Sequence, residues 1–249
     1  LKGLNILSIE SLLRKINMDE AGIDNSHYMY NNRYPVPRVT EILSAMIHED
    51  HLMKWSNFIG RVKHQRYEDV LEQAATKGTY VHNGIENFLQ NSCDLDISSI
   101  PTGYRNEVSY AYGSFKKWWE IVSLKNYNIV MQEQALVCPW FGGTLDILIE
   151  IFGRLYLLDF KTSNHASFKY FLQLSAYKYM LRELYGIDIY GCGIIKLSKK
   201  EISFEEYILD QSMPEYPGFI GLCEETFLSL TYSYINRIQV ENQYRNIFY

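Results

Sequence analysis

Asp146, Asp159 and Lys161 are the residues whose types and spacing point most directly to chemistry. Asp159 and Lys161 flank Phe160 at the end of an apolar run over 155–160. Alternate side chains of a strand project to one face, so the two can share a site while Phe160 turns the other way, toward a core. Asp146 lies in the preceding run, 144–151, and Phe152-Gly153-Arg154 between them predicts a β-hairpin that lets Asp146 meet Asp159 across the strands. Two neighbouring carboxylates repel unless a cation offsets their charge, and Mg²⁺ or Mn²⁺ does so through oxygen ligands. A metal also lowers the pKa of bound water and stabilises a developing oxyanion. Lys161 can neutralise a phosphate or help position and deprotonate water. These are the parts that phosphodiester hydrolysis needs, although Asp-x-Lys by itself is common on exposed strands.

Other side chains can surround that centre. Gln173 and Tyr177 are four apart in a helical pattern, so both can face the hairpin. Gln173 can bridge a phosphate or the catalytic groups; Tyr177 can donate to a phosphate, stack on a nucleotide, or simply pack the helix. Thr162 and Ser163 follow the strand and can bind a phosphate or cap the turn. Lys169 and Tyr170 lie close by in sequence and are weaker candidates for the substrate track. Glu133 sits on the strand before the hairpin. His82 taken alone reads as a packed or surface histidine, with Glu86 one turn later able to orient it or to stand as a plain surface carboxylate. Arg61, Lys63, His64 and Arg66 form a basic run, a solvated helix face or a phosphate contact.

The elements that must position these residues divide the chain in two. The first half reads as helical. A short helix is expected over 9–16 and an ordered arm or loop over 18–38. Thr40 is the expected N-cap of a helix carrying Ile42, Leu43 and Met46. Helix continues over 51–58. A long helix over 68–91 has a broad apolar stripe that Gly78 interrupts, and another over 104–122 bears Phe115, Trp118 and Trp119. From about residue 127 the period changes to that of strands: 128–136, the hairpin, 189–197, and 201–209 after a Lys199-Lys200 turn. Between them a helix over 167–184 stops at Gly186. A loop over 214–221 and a helix over 224–237 complete the pattern. The expected division is 1–125, mainly helical and carrying His82, and 126–249, the sheet core with a C-terminal helix, forming one integrated domain.

The segments Gly142-Gly143-Thr144-Leu145-Asp146 and Leu157-Leu158-Asp159-Phe160-Lys161-Thr162 resemble the core of the restriction-endonuclease-like, or PD-(D/E)XK, nuclease superfamily. Gln173-Leu174-Ser175-Ala176-Tyr177 is similar to the Gln-x-x-x-Tyr motif of its RecB-type branch, and Gly78-Thr79-Tyr80-Val81-His82 to that branch's upstream Gly-x-x-x-His motif. The four pieces occur in the branch's order, and the resemblance extends to RecB nuclease domains, CRISPR-associated exonucleases and the mitochondrial genome maintenance exonuclease. The resemblance implies an α/β fold, a restriction-endonuclease-like core with a mixed central β-sheet flanked by helices and a helical N-terminal cap. It implies that Asp146, Asp159 and Lys161 are catalytic, that His82, Asp146 and Asp159 hold Mg²⁺ (Mn²⁺ serving as well), and that Glu133 supplies a further acidic group. The activity implied is DNA exonuclease action at single strands or DNA ends in replication, repair or recombination. Structure-selective endonuclease and non-catalytic nucleic-acid-binding readings stay open.

One group within the branch carries an iron–sulfur cluster on one upstream cysteine and three downstream. Only Cys192 and Cys223 follow the core here, widely separated, so no iron–sulfur cluster is expected. The four cysteines have no metal-knuckle spacing and suggest a reducing compartment. There is no Gly-x-x-x-x-Gly-Lys-Ser/Thr loop, so a separate helicase would have to unwind DNA. Neither a secretory signal nor a membrane span is expected. A bacterial or phage protein acting in the cytoplasm fits, with a mitochondrial location also open. The 249 residues carry a net charge of −5, with 47% hydrophobic and 15% aromatic residues. That excludes a broadly basic coat for nucleic acid, but not a narrow basic track beside an acidic metal centre.

Overall fold

The computed structural model describes residues 28–48 and 50–248. The helix expected over 9–16 lies outside them. The elements in order are β1 (Tyr28–Tyr30), β2 (Tyr34–Val36), α1 (Val39–Met46), α2 (Asp50–Val62), α3 (Tyr67–Asn91), α4 (Arg105–Ser123), β3 (Tyr127–Val137), β4 (Gly142–Ile151), β5 (Arg154–Lys161), α5 (Phe168–Tyr185), β6 (Gly191–Leu197), β7 (Phe204–Asp210) and α6 (Tyr216–Phe248). No helix among the described residues is long and apolar enough to cross a membrane.

The fold is α/β, with one mixed five-stranded sheet in the order β3-β4-β5-β6-β7. The pairs are antiparallel except β5–β6, which is parallel and is joined through α5. Phe152 and Gly153, both at positive φ, make the two-residue turn between β4 and β5. Helix α5 begins where the Ser167 hydroxyl accepts the Lys169 amide and ends at Gly186 in the left-handed conformation.

Apolar side chains cover both faces of the sheet. On one, Leu148, Leu157, Cys192 and Ile194 pack with α1, α5 and α6. On the other, Ile147, Ile149, Leu158, Phe160 and Ile195 pack with Val81 and Ile85 of α3 and with α4. The Phe160 ring meets Phe115 and Trp118 edge-on, with centroids 5.5 and 5.4 Å apart. Period-two alternation therefore sends Phe160 into this core and leaves Asp159 and Lys161 on the α5 side.

Four expectations differ from the fold. Residues 28–36 form a small hairpin rather than a plain loop, turning through Asn31 and Asn32 at positive φ. The N-cap of α1 is Arg38, whose amide donates to the Glu41 carboxylate; Thr40 is already inside the helix. Helix α3 runs through Gly78 unbroken, and Leu71, Ala74 and Ala75 of its expected stripe are exposed among the described residues. Helix α6 begins at Tyr216 and runs to Phe248: Pro217 falls in the first turn, where a missing amide costs no helical bond, so the 214–221 segment is largely helix.

Candidate metal centre

The site forms where the sheet comes apart. The β4–β5 ladder reaches Ile147↔Leu158 and goes no further, although β5 continues to pair with β6 as far as Lys161↔Lys196. The next facing pair is Asp146 and Asp159. The Phe160 amide, having left the ladder, donates instead to Asp146 Oδ2 at 2.7 Å. Leu145 and Leu148 share one core cluster although a regular strand would send them to opposite faces, so β4 turns around Asp146. Strand β3 is distorted at the same level. Glu133, between the Gln132↔Ile147 and Gln134↔Leu145 pairs, has φ 44°. A non-glycine residue there costs on the order of 1–3 kcal/mol and is held by its surroundings. One such restraint is Gln132, whose Nε2 donates to the Glu86 carbonyl of α3 at 3.1 Å.

These distortions bring a helix and two strands together. His82 Nδ1 lies 3.6 Å from Asp146 Oδ2 and 3.8 Å from Glu133 Oε1. His82, Glu133 and Asp146 each offer a ligand atom within 4.8 Å of the others, so the group can hold a metal ion. One imidazole nitrogen and two carboxylates suit a hard divalent ion, Mg²⁺ or Mn²⁺.

Asp159 lies beside this group and is 2% exposed. Its Oδ1 accepts from Lys161 Nζ at 3.0 Å and from Gln173 Nε2 at 3.2 Å. Its Oδ2 is 2.7 Å from Lys161 Nζ without the alignment of a hydrogen bond, so this buried oxygen keeps lone pairs that an ion can use. Gln173 joins the set, its Oε1 accepting from Lys161 Nζ at 3.3 Å and its Nε2 also donating to the Tyr177 hydroxyl at 3.1 Å. It thus bridges the charged groups, one of its two expected roles. Tyr177 is buried, with its ring edge on the backbone of Gly143, and has no open face for stacking on a base.

Glu86 is engaged elsewhere than at His82: its Oε1 accepts from Gln90 Nε2 on its own helix at 3.1 Å. Ser163 donates to the His165 carbonyl and so closes a turn, and the Thr162 hydroxyl faces α3 at Gly78, 3.7 Å from where a Cβ would lie. Tyr28 carried no sequence signal as a site residue, yet its hydroxyl is 2.7 Å from Thr144 Oγ1. The glycine pair explains both neighbours. A Cβ on Gly142 would lie 2.6 Å from Tyr28, and one on Gly143 would lie 2.6 Å from Tyr177 Cε1. Gly143→Ala is therefore expected to destabilise the protein by about 1–3 kcal/mol, as overpacking does, and to loosen Gln173. Urea unfolding checks this, and an unchanged midpoint would show that Tyr177 yields freely.

Charge is distributed unevenly. Burial works to lower the His82 pKa, but the carboxylates of Asp146, Glu133 and Asp159 outweigh it and lift the value to about 9. The folded pKa lies above the unfolded one, so this contribution to stability is full below about pH 6.5 and is lost as pH rises toward 9. Metal-free protein should therefore melt at progressively lower temperature across that window, and His82→Gln should flatten the trend. A trend unchanged in that variant would assign it elsewhere. Burial pushes Asp159 upward, while Lys161 opposes it. For Lys161 burial pulls downward, but Asp159 and Asp146 prevail and keep the ammonium charged.

No protein-family model matches the chain, and no curated protein does. Solved structures do match, among them one described as "Crystal structure of SSO0001", 12% identical, covering 90% of this chain and 86% of its own, with a TM-score of 0.34.

Proposed function

We propose that the chain is a metal-dependent deoxyribonuclease of the RecB-type PD-(D/E)XK branch, an exonuclease acting at single-stranded or processed DNA ends. The observation that carries this reading is the convergence of His82, Glu133 and Asp146 beside the buried Asp159–Lys161 pair. The four motif segments, each contributing a residue at or beside that centre, add to it.

His82, Glu133 and Asp146 would hold Mg²⁺ or Mn²⁺, with Asp159 adjoining. Bound there, the ion supplies an activated water and charge for the developing oxyanion. The chain's own residues supply the rest. The Phe160 amide fixes the Asp146 carboxylate in place, and Gln173 holds Asp159 and Lys161 in register. Lys161, kept protonated by its carboxylate neighbours, meets the phosphate as a cation rather than taking a proton from water in this state. DNA is then the partner, a separate helicase would supply unwinding, and the cytoplasm is the place of action.

The test compares end-labelled linear single-stranded DNA with the same sequence as a covalently closed circle, in Mg²⁺ and in Mn²⁺. Cleavage of the linear form alone is expected. Equal cleavage of the circle would assign an endonuclease, and cleavage of neither would leave a binding module.

A further inference from the structure

Beyond the metal centre, four lysines from three elements face the same end of the sheet. Strand β6 runs parallel to β5 in the register Lys161↔Lys196, so the chain beyond Lys196 leaves the sheet beside the catalytic rim. Lys196 lies about 5 Å from Lys161 across the ladder, and Lys199 follows three residues later in the turn. The turn that carries Lys199 and Lys200 is fixed onto α4. The buried Ser114 hydroxyl lies 3.3 Å from the Ser198 and Glu201 carbonyls and accepts the Ser203 amide at 3.0 Å. Ile202 packs so closely on α4 that a Cβ on Gly113 would come within 3.1 Å of it.

Lys77 approaches from α3, next to Gly78, where an added Cβ would lie 3.7 Å from Thr162 Oγ1, immediately after Lys161. The facing carboxylate, Glu107, is engaged by Lys77 at 2.6 Å. Glu201 is turned to the Ser203 hydroxyl. Lys117 reaches the Ile202 carbonyl on the flank of the same turn. Four ammonium groups therefore face two carboxylates on a chain whose net charge is −5. Lys199 is partly buried, and burial, with Lys77 and Lys200 adding to it, holds its pKa below the usual lysine value against the upward pull of Glu107. A site that crowds cations at this cost is relieved by an anion.

We infer that Lys77, Lys199 and Lys200 form a binding rim for the phosphodiester backbone of the substrate strand, beside the scissile phosphate and separate from the metal centre. This rests on the nuclease reading and names how that activity holds its strand. The rim reads phosphates and not bases, so it confers no sequence preference.

The test is binding of a fluorescent single-stranded 20-mer, followed by anisotropy in Ca²⁺ from 50 to 200 mM salt, together with kcat and KM in Mg²⁺. The proteins are wild type, the Lys199→Gln/Lys200→Gln pair, and Lys200→Gln alone at its exposed position. The pair should make the slope of log K on log salt less negative by about 1.4 and weaken binding roughly tenfold, with the single variant changing about half as much. KM should rise with kcat within about twofold. An unchanged slope and KM, with wild type active, overturns the rim and leaves the nuclease reading standing. An equal loss in competition by inorganic phosphate assigns a simple anion site and overturns the strand assignment. Wild type that neither binds nor cleaves the strand overturns both.

Discussion

Lys161→Ala is expected to destabilise the protein by about 3 kcal/mol and to reduce hydrolysis to background, two effects with one electrostatic origin. Asp159 is 2% exposed, and Lys161 is the cation against it at 2.7 Å. Removing the ammonium leaves a buried carboxylate with the Gln173 amide and the weaker pull of His82 for compensation, so it takes up a proton or unfolds the site. A matched change separates the effects. Asp159→Asn with Lys161→Met removes both charges, keeps an acceptor for Gln173, and should recover most of the stability while activity stays lost. Urea unfolding of the single and double variants checks this. A single variant within about 1 kcal/mol of wild type would contradict the buried-pair account.

Asp146→Asn should act differently, leaving the fold intact while removing the chemistry. The asparagine carbonyl can still accept the Phe160 amide, so the strand ends stay joined. One of the two formal negative charges of the three-ligand group is gone, and divalent-ion affinity falls with it. A loss of several kcal/mol of transition-state charge stabilisation corresponds to a rate lower by about three orders of magnitude. A readout independent of activity follows from His82. Asp146 is the strongest influence raising its pKa, so the imidazole titration followed by NMR in metal-free protein should move down from about 9. An unmoved titration would mean that the two side chains do not sense each other in solution.

The parts of this site that depend on local periodicity were legible in the sequence. Alternation placed Phe160 opposite Asp159 and Lys161, the Phe152-Gly153 turn gave the hairpin, and Gly186 stopped the helix carrying Gln173. What was not legible depends on backbone departures and distant packing. Glu133 was a candidate by its position, but it sits between the Gln132↔Ile147 and Gln134↔Leu145 pairs at a left-handed φ that its residue type disfavours, and no spacing rule announces that. Glu86 had the right spacing to serve His82, but Gln90 has the same spacing to Glu86 and takes its carboxylate. Tyr28 joins the site only because Gly142 admits it. Pro217, Gly218 and Gly221 carry loop signals, yet they sit in the first turns of a helix fixed by its packing on α5 and α1.

The measurement that tests the central claim most directly is hydrolysis of end-labelled single-stranded DNA after EDTA treatment, with Mg²⁺ restored stepwise, for wild type beside Asp146→Asn. Neither protein should cleave without metal, and Mg²⁺ should restore cleavage in wild type alone. Cleavage that survives EDTA, or that returns equally in Asp146→Asn, would contradict that claim.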